Sequence, residues 1–424
     1  MPLASRPLFC RHGGIPLTFD RLVCLVWAHK EVASNFVDAP RRWPTGLCAL
    51  ICNWFERLQA LTHMHPVSAE GINPTYLNGL IAEISPQVWV KDVEVAETKT
   101  YGEEMVSTAG RVFLNVRYEA GAAADWPTRL VLKVARVDDA VMSPFYANEV
   151  AFYRKIRPGL NLEAPRCFGG DFDPASNRFG LLLEDLSTSG ALFPNVTKKV
   201  ELEEVRALLD AVASLHAGFW ESPRFSGDLA WVETHLGGDV ATMMNEMAPS
   251  YIQHEIDTEN FKRELVQRLR TTGPQLLAGV QAVQRHQATL PQTLLHGDTH
   301  IGNTYLLPGV RGGLLDWQLM VRGHAMHDVN YLITTSLSIA DRRNNERELL
   351  SYYLDRLAAN GVRTPLSFEQ AWVEYRRTLV WGVYVGWLTT PVANYGWEIN
   401  VLNHLRLTTA YEDLETAKLV AEVL

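Results

Sequence analysis

The strongest constraint on this 424-residue chain is a change of hydrophobic period partway along it. Between residues 93 and 137 the apolar residues cluster in short β-branched runs: Val93 to Lys99, Arg111 to Tyr118 and Arg129 to Val137. Turn-forming stretches at 100–110 and 120–127 separate them, and such bounded runs read as consecutive antiparallel strands. Ser143 to Ile156 follows with Phe145, Val150, Phe152, Tyr153 and Ile156 at helical spacing, ended by Pro158 and Gly159. Phe179 to Leu183 is a further short strand. After Ser187 the period becomes helical. Leu202, Val205, Leu208, Leu209, Val212, Leu215 and Phe219 form one apolar stripe, which predicts a helix over Lys198 to Trp220. Further helices are predicted at Asn260 to Arg270, Gly273 to Gln287, His327 to Ile339, Asn345 to Asn360, Phe368 to Leu388 and Leu402 to Val423. The fold class implied is α+β, with a small β-rich N-terminal lobe and a larger helical C-terminal lobe.

Three divisions are expected: an N-terminal extension at 1–63, rich in Cys, Arg and Trp; a lobe at 64–187; and a helical lobe at 188–424. Met64 is a candidate initiator of the functional chain. Charge narrows the partners. With 39 basic against 48 acidic residues, the net of -9 argues against a surface that neutralises nucleic-acid phosphates. Five cysteines, four of them in the first 52 residues, do not make a disulfide scaffold, so reduced thiols and a cytoplasmic location are expected. The uncharged run Thr378 to Trp397 contains Thr389, Thr390, Pro391 and Asn394 and is read as protein interior, with no membrane partner.

The chemistry concentrates in LLHGDTHIGNTYLLPGVRGGLLDWQ at 294–318. Asp298 is followed five positions later by Asn303 and eighteen positions later by Asp316, with strand-like runs Tyr305 to Leu307 and Gly313 to Leu315 between them. A hairpin of that kind can bring all three to one point. Phosphoryl transfer from a nucleotide needs such a set: a carboxylate to accept a hydroxyl proton, and a carboxylate with an amide oxygen to hold Mg²⁺. Upstream, Lys133 lies in the apolar strand Leu130 to Val134, where a buried ammonium is costly unless paired. Glu149, sixteen residues later on the predicted helix, is its natural partner.

These segments resemble the aminoglycoside phosphotransferase and choline kinase superfamily, and especially its CHK, ecdysteroid-kinase-like branch. The matching stretches are YGEEMVST at 101–108, LKV at 132–134, NEVAFYRKIRPGL at 148–160, LLLEDLS at 181–187, HGDTHIGN at 296–303, LLDWQ at 314–318 and HDVNYL at 327–332, in the family's order over about 230 residues. The resemblance implies a protein-kinase-like fold and an enzyme that uses ATP and Mg²⁺ to phosphorylate a hydroxyl. It implies Asp298 as the base, Asn303 and Asp316 as magnesium ligands, and Lys133 with Glu149 as the pair that orients the nucleotide phosphates. Glu184, Asp185 and Leu186 would form the lobe connection whose backbone meets the adenine. The nucleotide loop departs from protein kinases in its few glycines; in this branch a G-x-x-x-x-S loop is usual, which points to Gly102 and Ser107. Asp328 is expected to brace the catalytic loop.

The histidines support a rival. His296 with His300, and His324 with His327, have spacings that bind metal on a helix, which would suggest a metal-dependent hydrolase. Gly297, Gly302 and Gly323 interrupt any such helix, so His296 is expected to hold the catalytic loop, and His216 to be a satisfied core residue. A catalytically silent kinase-like binding protein is the other rival. For the acceptor, Trp372, Tyr375, Trp381, Tyr384, Trp387, Tyr395 and Trp397 fall in a stretch poor in acidic residues. That favours an apolar or planar alcohol over a polycationic aminoglycoside, while a choline-type quaternary ammonium could use an aromatic cage.

Overall fold

In the computed structural model the described residues are 65, 71–99, 109–120, 125–135 and 142–424, all within a compact unit at Ala60–Leu424. The extension at 1–63, Met64, Gly102 and Ser107 lie outside the described residues. Among the described residues the first long element is helix α1 (Pro74–Ala82), capped by Asn73, whose side chain accepts from Tyr76 N–H. Strands β1 (Val90–Lys99), β2 (Ala109–Tyr118) and β3 (Arg129–Ala135) follow, then α2 (Ser143–Ala151), β4 (Cys167–Asp173) and β5 (Arg178–Glu184). All five strands form one antiparallel sheet in the order β1-β2-β3-β5-β4.

The period of two along the sheet separates two cores. Leu132 and Leu182 face α1 together with Leu77, Leu80 and Ile81, while Leu181 and Leu183 face the opposite side with Tyr146, Val150 and Phe152 of the α2 segment. Lys133 pairs in register with Leu181, so it projects to this second face, toward α2 and the rest of the chain. Strand β4 was not expected from its sequence, CFGGDFD, which carries two glycines and two aspartates. Its glycines are what permit it: a Cβ on Gly169 would lie 2.6 Å from Leu80 O, so α1 packs directly on bare backbone.

After a 3₁₀ turn at Leu186–Ser189 the helical lobe begins. It comprises α3 (Leu202–Phe219), α4 (Asp239–Thr242), α5 (Ala248–Thr258), α6 (Asn260–Arg268) and α7 (Gly273–Gln287). Short strands β6 (Thr293–Leu295), β7 (Thr304–Leu307), β8 (Arg311–Leu314) and β9 (Val321–Gly323) lead to α8 (Met326–Ser336), α9 (Ile339–Ala359), α10 (Phe368–Trp381), α11 (Val392–Asp413) and α12 (Thr416–Ala421). The stripe on α3 is buried from Val205 to Phe219, and a capping box between Glu201 and Glu204 sets its start. Two expected helices change character. The one over Ser143 to Ile156 becomes a π-turn at Phe152–Ile156, and the one over Phe368 to Leu388 becomes a π-turn at Gly382–Trp387. The last expected helix starts ten residues early, at Val392, and bends at Gly396, where φ is 79°. Among the described residues no helix is long and apolar enough to cross a membrane.

The helical lobe buries histidines that cannot easily take a proton. His324 and His404 are 2% and 3% exposed, and Nε2 of each has no hydrogen-bond partner among the described residues. Burial pushes His324 down to about 4 and His404 down to about 3. Below the ordinary histidine pKa the unfolded chain takes up these protons and the folded chain refuses them. Stability is therefore complete above about pH 6.5 and falls on acidification, by up to about 1.4 kcal/mol per pH unit for each ring. Urea unfolding at pH 7.5 and pH 5 should show this loss, and His404→Leu should reduce it by about 2 kcal/mol.

Candidate active site

The first half of the site is built on β3 and α2. Lys133 Nζ donates to both oxygens of Glu149 at 2.8 and 2.6 Å, and lies 3.1 Å from Asp316 Oδ1. Lysine and glutamate are 5% and 1% exposed. Burial alone would lower the pKa of the ammonium, but Asp316 and Glu149 outweigh it and hold Lys133 above its ordinary value. Asp316 is likewise held below the usual carboxylate range, the charges of Lys133 and Arg111 overcoming its burial. One ammonium thus serves two carboxylates, and only one of them, Glu149, is fully enclosed.

The second half is the loop after β6 and the turn after β8. Antiparallel pairing of β7 with β8, Thr304 opposite Leu314, makes the expected hairpin and brings Asn303 beside Leu315, whose N–H donates to Asn303 O at 2.8 Å. Asn303 Nδ2 donates at 2.9 Å to both Asp298 O and Asp298 Oδ2. With its amide protons turned to Asp298, the oxygen of Asn303 is left as the atom available to a cation. Asp316 sits at φ 62° and ψ 72°, a left-handed conformation unusual for a residue with a side chain. Strain of this kind is kept only where surroundings impose it. Trp317, stacked on Phe152 at 3.6 Å between centroids and 8° between planes, supplies that grip.

A histidine ring holds the two loops together. His296 Nε2 hydrogen-bonds Leu315 O at 2.6 Å, and its Nδ1 accepts from Asp298 N–H at 3.2 Å, so one ring spans both carboxylate loops. Asp328, fully buried on α8, accepts from His296 N–H at 2.7 Å and Gly297 N–H at 3.0 Å. His216 reaches the same carboxylate at 3.1 Å and Tyr353 OH at 2.8 Å, so it is the satisfied core residue expected. Among the described residues no group of three or more His, Cys, Asp or Glu is placed to hold a metal ion.

Asp298, Asn303 and Asp316 all line one cavity of about 540 Å³. Asp298 is half-buried there, and burial, reinforced by Asp316 and Asp328 against His300 and Asn303, raises its carboxyl to about 6. Of the seven aromatic rings singled out in the sequence, Trp381, Trp387 and Tyr395 line this cavity. Tyr375 and Tyr384 belong to the helix core, and Trp397 is exposed. Another part of the lining was not anticipated: Met142, Met243, Met244 and Met247 face the space with Phe145 and Tyr251. Three of these methionines sit in a π-turn at Met243–Met247, and the run MMNEM was the available signal. Lys262 is a second omission. Fully buried, it donates to Glu255 at 2.8 Å and to the carbonyls of Leu388 and Thr390 at 3.2 and 2.7 Å, tying α5 to the Thr389–Pro391 wall.

Strand β5 ends at Glu184, and the chain passes through Asp185 into the 3₁₀ turn that starts at Leu186. Asp185 is 2% exposed and occupied, accepting from Arg129 Nε at 2.9 Å and from Ser187 N–H and Oγ at 3.0 and 2.6 Å. Its side chain therefore builds the connection itself. A residue missed by sequence, Asn148, locks the lobes from the other side, donating to Gln318 O at 3.0 Å and Met320 O at 2.7 Å. The loop is also closely fitted at Gly297, where φ is 83° and a Cβ would lie 1.9 Å from Leu319 O. Gly297→Ala should cost about 2 kcal/mol or more. A melting temperature unchanged from wild type would contradict that packing.

The described architecture is a two-lobed, protein-kinase-like fold. A choline kinase from Cryptosporidium parvum is similar at a TM-score of 0.50 and 12% identity, over 89% of this chain and 98% of that one. A choline kinase from Streptococcus pneumoniae gives 0.42 and 15%, over 76% and 94% of the two chains. An aminoglycoside phosphotransferase from Streptomyces rimosus gives 0.39 and 18%, over 72% and 94%. No curated protein matches the sequence significantly. The family model of the ecdysteroid kinase-like family matches residues 101–363, more than half of the sequence, and the chain belongs to that family.

Proposed function

We propose that the protein is an ATP- and Mg²⁺-dependent phosphotransferase acting on a hydroxyl of a small, lipophilic molecule. The observation that carries this reading is the meeting of Asp298, Asn303 and Asp316 at one cavity beside the buried Lys133–Glu149 pair. The donor set suits a hard divalent cation. Asn303 offers an amide oxygen, and Asp316 offers a carboxylate that shares its ammonium with Glu149, so these two residues would hold the ion. Bound there, magnesium supplies neutralisation of charge developing on the transferred phosphoryl group.

The chain's own residues do the rest. Lys133, fixed by Glu149, presents a positive charge toward the phosphates and remains protonated, because its surroundings raise its pKa. Asp298 faces the cavity, where it can orient an acceptor hydroxyl and take its proton. Gly102 and Ser107 would meet the phosphates, and the backbone from Glu184 to Leu186 the adenine. The Met and aromatic side chains lining the cavity can adapt to an apolar body, since thioether side chains fill irregular spaces. The rings of Trp381, Trp387 and Tyr395 favour one second reading, a quaternary-ammonium alcohol held over aromatic faces.

Transfer of labelled phosphate from Mg-ATP to a panel spanning apolar alcohols, choline and aminoglycosides tests both. Product is expected with apolar alcohols; labelling of choline alone would select the second reading, and no product with any acceptor would leave a silent binding protein. Asp298→Asn should retain nucleotide binding and lower turnover by a factor on the order of 10² to 10⁴. Unchanged turnover in that variant would remove Asp298 from the base role.

A further inference from the structure

His300 lines the cavity beside Asp298 and has no part in the chemistry above. Its proton can be placed from its contacts. Gly302 N–H donates to Nδ1 at 3.1 Å, so Nδ1 carries a lone pair and the neutral ring bears its hydrogen on Nε2. Tyr331 and Trp387 pack against the ring edge-on, at 6.0 and 5.9 Å between centroids, and fix its direction.

Nε2 lies 3.9 Å from Asp298 Oδ2. That is too long for a hydrogen bond between them, and it is the span covered when a single oxygen sits about 2.8 Å from each. Such an oxygen must give a proton to the carboxylate and accept one from the imidazole. A hydroxyl can do both. An ammonium has no lone pair to offer His300, and a carbonyl has no proton to offer Asp298.

We propose that His300 is a specificity-determining contact for the acceptor, its Nε2–H donating to the same hydroxyl oxygen whose proton points at Asp298. This rests on the phosphotransferase reading for its consequence, since the bridge aligns the oxygen lone pair that would attack, but the contact can be tested by binding alone. It selects alcohols over ammonium groups and ketones of the same shape, a discrimination that the Met and aromatic walls cannot make.

The experiment uses the full chain with two probes, 2-naphthalenemethanol and 2-methylnaphthalene, followed by tryptophan fluorescence. The wild type is expected to prefer the alcohol about tenfold, in line with two net hydrogen bonds. His300→Phe keeps a ring against Tyr331 and Trp387 but loses the donor; it should bind the hydrocarbon as before and cut the preference to about threefold or less. His300→Gln, with an amide N–H of similar reach, should recover part of it. Equal binding of the two probes by the wild type, an undiminished preference in His300→Phe, or equal loss of both probes in that variant would overturn the proposal. A preference that depends on His300 in a chain that transfers no phosphate would support the contact and remove the phosphotransferase reading.

Discussion

Everything in the cleft depends on one buried ammonium. Lys133 is enclosed between Glu149 from α2 and Asp316 from the turn after β8, so a strand, a helix and a loop from two lobes share one charge. Buried ion pairs of this kind are weak sources of net stability, because desolvation offsets most of the Coulomb gain. Their consequence is geometric. Removing Lys133 would leave two carboxylates without their shared cation, so the three elements have few ways to move independently. Asn148, one residue before Glu149, adds two hydrogen bonds to the same turn, and the Phe152–Trp317 stack adds an apolar clamp one helical turn farther on.

Beneath the cleft, the loop carrying Asp298 is held almost entirely by its backbone. Asp328 accepts two consecutive N–H groups, His296 bridges to the Asp316 loop, and Gly297 supplies a conformation and a closeness that a side chain would forbid. The arrangement explains why so many polar residues are buried where nothing reacts. They satisfy one another, so that Asp298 and Asn303 can be left facing open space with capacity to spare.

What the sequence disclosed, it disclosed through chemistry. Asp298, Asn303, Asp316, Lys133 and Glu149 stood out because their types and order suit phosphoryl transfer, and the structure brings all five to one cleft. The strands β1, β2, β3 and β5 and the long helix α3 were visible in their periodicities. The rest was hidden for identifiable reasons. Strand β4 owes its state to pairing with β5 and to α1 lying on Gly169, neither of which is local. The aromatic stretch runs through α10, the π-turn at Gly382–Trp387 and the start of α11, and a single sequence cannot say which of its rings meet the cavity. The methionine wall and Lys262 act across long separations, and His300 was noticed only as a metal candidate because its tautomer depends on a turn.

In the proposed reaction Asn303 and Asp316 would together hold a cation that serves a nucleotide in this cleft. A crystal structure of the chain with a non-hydrolysable ATP analogue and Mn²⁺, located by its anomalous scattering, tests it most directly. The account predicts a manganese peak between the oxygen of Asn303 and the carboxylate of Asp316, with Lys133 turned to the phosphates. A nucleotide bound elsewhere, or a cation that avoids both residues, would contradict it.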